Sequence, residues 1–183
     1  MPHAGGWLRY GIPEYRLPKA ILDKEIELMC RNGMQVETGK VLGKDFLLSE
    51  LANDYDAVCL AVGASKAVER NYTGSELDGC YLGVDYLKDY VTGHQYTTGK
   101  KVAVIGGGNT AIDCVRTAVR DGADTTLIYR RTRDEMPAED YEILEAEHEG
   151  AVRCVGSKDT SALGHTFTEC NAFAWHCVAL HCN

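Results

Sequence analysis

The sequence predicts an α/β fold built on parallel strands, and three observations carry that reading. Lys101-Val102-Ala103-Val104-Ile105 is an apolar strand that runs into a glycine turn, Gly106-Gly107-Gly108, and then into a helix. A second apolar segment, Thr125-Thr126-Leu127-Ile128-Tyr129, follows one helix length later, which is the spacing of a parallel crossover. The run Tyr55-Asp56-Ala57-Val58-Cys59-Leu60-Ala61-Val62-Gly63 is apolar from Ala57 onward and closed by glycine, the pattern of a parallel strand buried on both faces.

The remaining elements follow in order. Residues 5–18 hold three glycines and two prolines and predict an irregular, ordered loop. Pro18 suits a helix start; Ile21, Leu22, Ile26, Leu28 and Met29 recur at near-helical spacing, and Gly33 is the stop. Gln35 to Val41 reads as a short strand and Phe46 to Leu51 as a short helix or turn. Val84 to Val91 reads as a short helix leading into a connector with Gly93 and Gly99. The helix after the glycine turn runs from about Thr110 to Asp121, with Gly122 as its stop. Pro137 and Ala138 open another helix, which reaches about His148.

Length and composition bound the function. A chain of 183 residues is enough for one ordinary domain or two small ones. Hydrophobic residues at 45% and charged residues at 25% are the balance of a soluble globular protein. A net charge of −8 argues against nucleic acid as the main partner, because a phosphate backbone needs a basic face. No stretch approaches the roughly 18 apolar residues of a membrane span, and the first residues lack the pattern of a signal peptide. A cytoplasmic chain is the default. Eight cysteines contain no Cys-x-x-Cys, which removes the best support for a dithiol redox centre or a zinc knuckle.

The turn Gly106-Gly107-Gly108-Asn109-Thr110-Ala111 has the chemistry of a Rossmann-like dinucleotide site. Gly106 permits the tight exit from the strand, Gly108 lets backbone approach a pyrophosphate, and Ala111 keeps helix and strand close. The helix N-terminus offers free N–H groups and partial positive charge, and Asn109 and Thr110 can add side-chain hydrogen bonds. Asp113 is expected on the first turn, either as an ordinary N-terminal acid or ordering the loop at the nicotinamide end. The second strand selects between cofactors. An NAD site usually ends this strand in a carboxylate for the ribose 2′-hydroxyl. This strand ends in Tyr129-Arg130-Arg131 with Arg133 close by, and guanidinium forks match the 2′-phosphate of NADP(H). The alternative is a solvated basic loop paired with Asp134, Glu135 and Glu139.

Four blocks in one order identify a family. They are residues 5–19 (Gly-Gly-Trp-Leu-Arg-Tyr-Gly-Ile-Pro-Glu-Tyr-Arg-Leu-Pro-Lys), residues 56–64 (Asp-Ala-Val-Cys-Leu-Ala-Val-Gly-Ala), residues 102–113 (Val-Ala-Val-Ile-Gly-Gly-Gly-Asn-Thr-Ala-Ile-Asp) and residues 129–138 (Tyr-Arg-Arg-Thr-Arg-Asp-Glu-Met-Pro-Ala). Over about residues 4–150 the chain resembles the small (beta) subunit family of NADPH-dependent glutamate synthase, whose relatives include the electron-input half of dihydropyrimidine dehydrogenase. The resemblance implies a two-dinucleotide-binding-domain flavoprotein architecture, with an NADP domain inserted into an FAD domain. It implies hydride transfer from NADPH to FAD and single electrons passed to iron–sulfur clusters. It implies a large synthase-type or iron–sulfur acceptor subunit as partner. By motif, Gly6, Leu8, Tyr10, Gly11 and Arg16 would lie along the flavin cofactor and Leu42 against its adenosine half. Ala61, Val62 and Gly63 would link the two domains, and Gly108, Asn109, Thr110, Arg131 and Arg133 would hold NADP. Such chemistry rests on aligning nicotinamide and flavin, so no catalytic acid or base is assigned.

The pattern also departs from the family. The strand, Gly-x-Gly-x-x-Gly turn and helix that open its FAD domain have no counterpart in this sequence, and neither does its cysteine-rich iron–sulfur segment. The expected organisation is a partial FAD-binding domain over 1–93, the first βαβ unit of the NADP domain over 94–150, and an unassigned tail over 151–183. That tail shows no period of 2 or 3.6 and reads as out of frame or disordered. Its Cys170, His176, Cys177, His181 and Cys182 are metal-ligand types, but their spacing fits no zinc site, and no metal is assigned. The functional readings are therefore an NADPH-dependent, FAD-linked oxidoreductase, a truncated NADP-binding fragment without turnover, or a regulatory NADP sensor.

Overall fold

The computed structural model describes residues 1–64, 66–67, 75–94, 97, 100–155 and 177–181. The chain forms two compact units, Met1–Ser65 and Lys66–Asn183.

The first unit contains helices α1 (Gly6–Tyr10), α2 (Lys19–Arg31) and α3 (Leu48–Asp54). The glycine-rich start, expected as irregular loop, forms the short helix α1. Gly5 enters it at φ 114°, a conformation that suits glycine. Gly11 ends it under the Trp7 indole: a Cβ there would lie 1.9 Å from the ring. The buried Tyr10 hydroxyl accepts a hydrogen bond from the His3 N–H at 3.1 Å, and Arg9 pairs with Asp23 of α2.

Two expected strands do not form in this unit. Gln35–Val41 forms no ladder and bends at Gly39, where φ is 74°, and Tyr55–Gly63 is irregular. Val58, Leu60 and Val62 are 39%, 60% and 78% exposed instead of buried on both faces. The reason is pairing. A strand exists only beside another strand, and among the described residues of this unit the sole ladder contact is the isolated bridge Leu42↔Phe46.

The second unit is a five-stranded, wholly parallel sheet with helices. Its elements are β1 (Cys80–Leu82), α4 (Gly83–Val91), β2 (Lys101–Ile105), α5 (Asn109–Arg120), β3 (Asp124–Tyr129), α6 (Asp140–His148), β4 (Val152–Val155) and β5 (Cys177–His181). The strand order is β1-β5-β2-β3-β4. From β2 the chain moves outward to β3 and β4, then returns to the other side of β2 with β5. The order therefore reverses beside β2, and ligands of open α/β sheets bind outside the carboxyl ends at such a point.

Helix α5 packs against β2, β3, β5, α4 and α6. All residues from Ala111 to Ala118 are buried, which makes α5 the centre of the core with Val102, Val104 and Leu127 of the sheet and Ile143 of α6. Tyr86 and Leu87 of α4 join the same core. The Tyr86 hydroxyl meets Thr97 Oγ1 at 3.3 Å, and Thr97 donates to Asp121 Oδ2 at 2.6 Å. Burial pushes the Tyr86 phenol well above its ordinary range.

The expectation of a tail without regular structure is corrected at both of its described segments. Val152–Val155 pairs with β3, and Cys177–His181 lies between β1 and β2. Cys177-Val178-Ala179-Leu180 is a short continuous apolar run, which is the sequence signal of a parallel strand. Of the candidate ligands in the tail, Cys170, His176 and Cys182 lie outside the described residues. No described helix is long and apolar enough to cross a membrane.

Candidate functional site

The glycine turn and the arginine loop sit side by side. Strands β2 and β3 pair in register from Lys101↔Asp124 to Ile105↔Ile128, so their carboxyl ends finish together. Gly106 leaves β2 at φ 154°, where L side chains are rarely found, and its N–H donates to the Ile128 carbonyl at 3.0 Å. Gly108 caps α5, and no side chain occupies the cap. The first N–H groups of α5 therefore have no side-chain cap among the described residues, at the positive end of the helix. Asn109 is exposed and Thr110 half-buried at this end.

The residue that fixes the second half of the site is Tyr129. Its ring lies over Gly107, where a Cβ would come within 2.5 Å of two ring carbons. Its hydroxyl donates to the Glu135 carbonyl at 3.0 Å. The loop then folds back on the turn. The Ala138 N–H donates to the Gly107 carbonyl at 3.0 Å, and the Glu139 N–H donates to Asn109 Oδ1 at 3.2 Å. Inside the loop, the Thr132 N–H and hydroxyl both donate to Glu135 Oε2, at 3.1 and 3.0 Å. The sequence reading missed this clip, because residues 107 and 129 are brought together only by the register of β2 against β3.

The three arginines are not equivalent. Arg130 and Arg131 are exposed and form no ion pair among the described residues. Arg133 Nη1 lies 2.9 Å from Asp140 Oδ1. No ion pair of Asp134 or Glu139, expected as alternative partners, with these arginines is found among the described residues. An exposed pair such as Arg133–Asp140 is worth only about 0–1 kcal/mol, so a phosphate can redirect Arg133 at small cost. Asp113 is corrected in position. It begins the second turn of α5, just past the first turn where it was expected, and is only 5% exposed.

The residues expected along a flavin lie in the first unit. Gly6, at φ 49°, and Leu8 are exposed; Tyr10 and Gly11 are buried in the α1 turn; Arg16 is half-buried. Leu42 and Gly63 are exposed, Gly63 at φ 71°. Lys19, which sequence reading passed over, holds the loop together: its Nζ donates to the carbonyls of Leu8, Ile12 and Leu17 at 3.0, 2.6 and 3.0 Å. Burial lowers its pKa, with the Arg9 charge acting the same way and Glu14 opposing. Among the described residues, no group of three or more His, Cys, Asp or Glu side chains is placed to hold a metal ion.

A family model described as pyridine nucleotide-disulphide oxidoreductase matches residues 1–153. The chain belongs to this family. Family members of known naming lie close in sequence. The NADPH-Fe(3+) oxidoreductase subunit beta of Geobacter sulfurreducens is 42% identical over 155 residues, 81% of this chain and 23% of that protein. The NADP(+)-dependent formate dehydrogenase subunit beta of Moorella thermoacetica is 42% identical over 156 residues, 83% of this chain and 22% of that protein. The glutamate synthase [NADPH] small chain of Halomonas elongata is 33% identical over 183 residues, covering 92% of this chain and 38% of that one. The resemblance read from the four sequence blocks is thereby borne out. The chain spans between about a fifth and two fifths of the length of these family relatives. They are oxidoreductase subunits, and the α/β sheet with its glycine turn fits the Rossmann-like fold of the family.

Proposed function

We propose that the chain binds NADP(H) across the β2–α5 turn and the loop after β3. In the full-length protein it would form the nucleotide-binding part of a two-domain flavoprotein subunit that oxidises NADPH and delivers electrons to a larger partner. One observation carries the reading. The glycine turn after β2 stands beside the loop after β3, whose Arg130 and Arg131 are exposed and form no ion pair among the described residues, and this supports one nucleotide bridging the two with its pyrophosphate and its 2′-phosphate.

The residues fit the NADP half. Gly106 and Gly108 open the backbone, the α5 N-terminus and Thr110 meet the pyrophosphate, and Arg130, Arg131 and Arg133 meet the 2′-phosphate. NADPH supplies a hydride when bound. The chain's own work is to grip both phosphates and so fix the direction in which the nicotinamide leaves the turn. The FAD half does not fit on the described residues alone. Residues 1–64 hold no strand, glycine turn and helix in succession, so Gly6, Leu8, Tyr10, Gly11, Arg16, Leu42 and Gly63 would supply only part of a flavin site. Electron passage to iron–sulfur centres, which the family resemblance implies, belongs to the same proposal.

Purification of the 183-residue chain followed by NADPH titration tests this reading, with nicotinamide fluorescence and the visible spectrum as readouts. Saturable NADPH binding by a colourless chain is the expected result and corresponds to nucleotide binding without turnover. A flavin band near one per chain would extend the reading to a working flavin site. Absence of NADPH binding would overturn it.

A further inference from the structure

We propose that Tyr129 is a positioning residue that sets selectivity for NADP(H) by docking the arginine loop onto the glycine turn. The inference rests on the nucleotide assignment above and deepens it.

NADPH carries its pyrophosphate and its 2′-phosphate at a separation limited by one ribose and its linkage. A protein that grips both must therefore hold its two anion-binding segments at a matching separation. Bidentate guanidinium–phosphate contacts tolerate little misplacement, about 0.5 Å in a pre-organised site. Arg130 and Arg131 follow Tyr129 directly, so the anchorage of that residue sets where their side chains begin. The anchorage has two parts. The ring sits on Gly107, inside the phosphate turn itself, and this contact exists only because residue 107 lacks a Cβ. The hydroxyl reaches across the loop to the Glu135 carbonyl at 3.0 Å. The far end of the loop is tied to the same turn by Ala138 on the Gly107 carbonyl and Glu139 on Asn109. The arginines are thus displayed on a segment fastened to the turn before and after them. Asn109 accordingly spends its side-chain oxygen on the loop.

NADH has the pyrophosphate and no 2′-phosphate. Loosening the loop should leave NADH binding unchanged and weaken NADPH, which a general loss of structure would not do. The test measures Kd for NADPH and NADH with the wild-type chain, Tyr129→Phe, Tyr129→Ala and Arg131→Ala, together with each melting temperature. Tyr129→Ala is expected to weaken NADPH by at least about tenfold, and Tyr129→Phe by a smaller factor of about threefold, within the worth of one hydrogen bond. NADH should change by less than about twofold, within what uninvolved surface changes produce. Equal losses for the two nucleotides, or an unchanged NADPH preference in Tyr129→Ala, would overturn the proposal. If Tyr129→Ala does not fold, the Phe variant decides by the same ratio. A wild-type chain without NADPH preference, or one whose preference survives Arg131→Ala, would overturn the underlying nucleotide assignment. A preference lost in Arg131→Ala but intact in both Tyr129 variants would overturn the positioning role alone.

Discussion

Arg116 of α5 and Glu142 of α6 form an ion pair of 2.7 Å between Nη1 and Oε2, with side-chain exposures of 7% and 3%. The pair fastens α6 to the helix that follows the glycine turn. Taking two charges out of water is costly, and the pair repays it only while both partners are present. Arg116→Met alone should therefore destabilise the chain by about 3–5 kcal/mol in urea unfolding. The double variant Arg116→Met/Glu142→Leu should recover most of that loss. A single-variant cost below about 1 kcal/mol, the range of exposed pairs, would contradict the buried-pair account.

Glu149 gives the same network a pH dependence. Partial burial pushes its carboxyl up, but hydrogen bonds and charge from Arg116 and Arg120 outweigh burial and hold it below its ordinary value of 4.5. A carboxyl lowered by folding contributes stability above its unfolded pKa and loses that contribution as pH falls through its folded pKa. Wild-type stability should therefore fall more steeply than that of Glu149→Gln from about pH 5 to about pH 3. Parallel stability curves for the two proteins would remove Glu149 from the account.

Gly11 and Trp7 make a local test of the first unit. A methyl group at residue 11 meets the indole at 1.9 Å, so either the ring or the α1 turn must move. Gly11→Ala should cost about 1–3 kcal/mol, the range for overpacking. In a Trp175→Phe background, it should also shift the Trp7 emission maximum to longer wavelength as the ring enters water. An unchanged emission spectrum would show that the ring does not depend on this glycine.

The parts of the fold that were legible in the sequence are those whose signals are local. Lys101–Ile105, the glycine turn and Asp124–Tyr129 each carry their own period, punctuation and length, and the structure matches them within a residue. Tyr55–Gly63 carries an equally clear apolar run, yet it is irregular and exposed, because composition expresses a capacity for burial and only a neighbouring strand realises it. Cys177–His181 is the converse: a four-residue apolar run, short enough to be passed over, becomes an interior strand through pairing with β1 and β2, which are distant in sequence. At the candidate site, motif spacing put the glycine turn after β2 and the arginine loop after β3, and the structure has them there. The Tyr129 clip was not legible, because the contact between residues 129 and 107 depends on the register of β2 against β3. Arg116 was hidden for a related reason, since one arginine in a helical period looks solvated until its partner on α6 is placed.

Calorimetric titration of NADPH and NADH into the wild-type chain and into Arg131→Ala/Arg133→Ala tests the nucleotide assignment most directly. The account predicts tighter binding of NADPH by the wild type. It predicts that the double variant loses at least about 10- to 100-fold in NADPH affinity, the worth of one hydrogen bond to a charged group, while NADH affinity stays nearly constant. Equal affinities for the two nucleotides in the wild type, or equal losses in the variant, would contradict it.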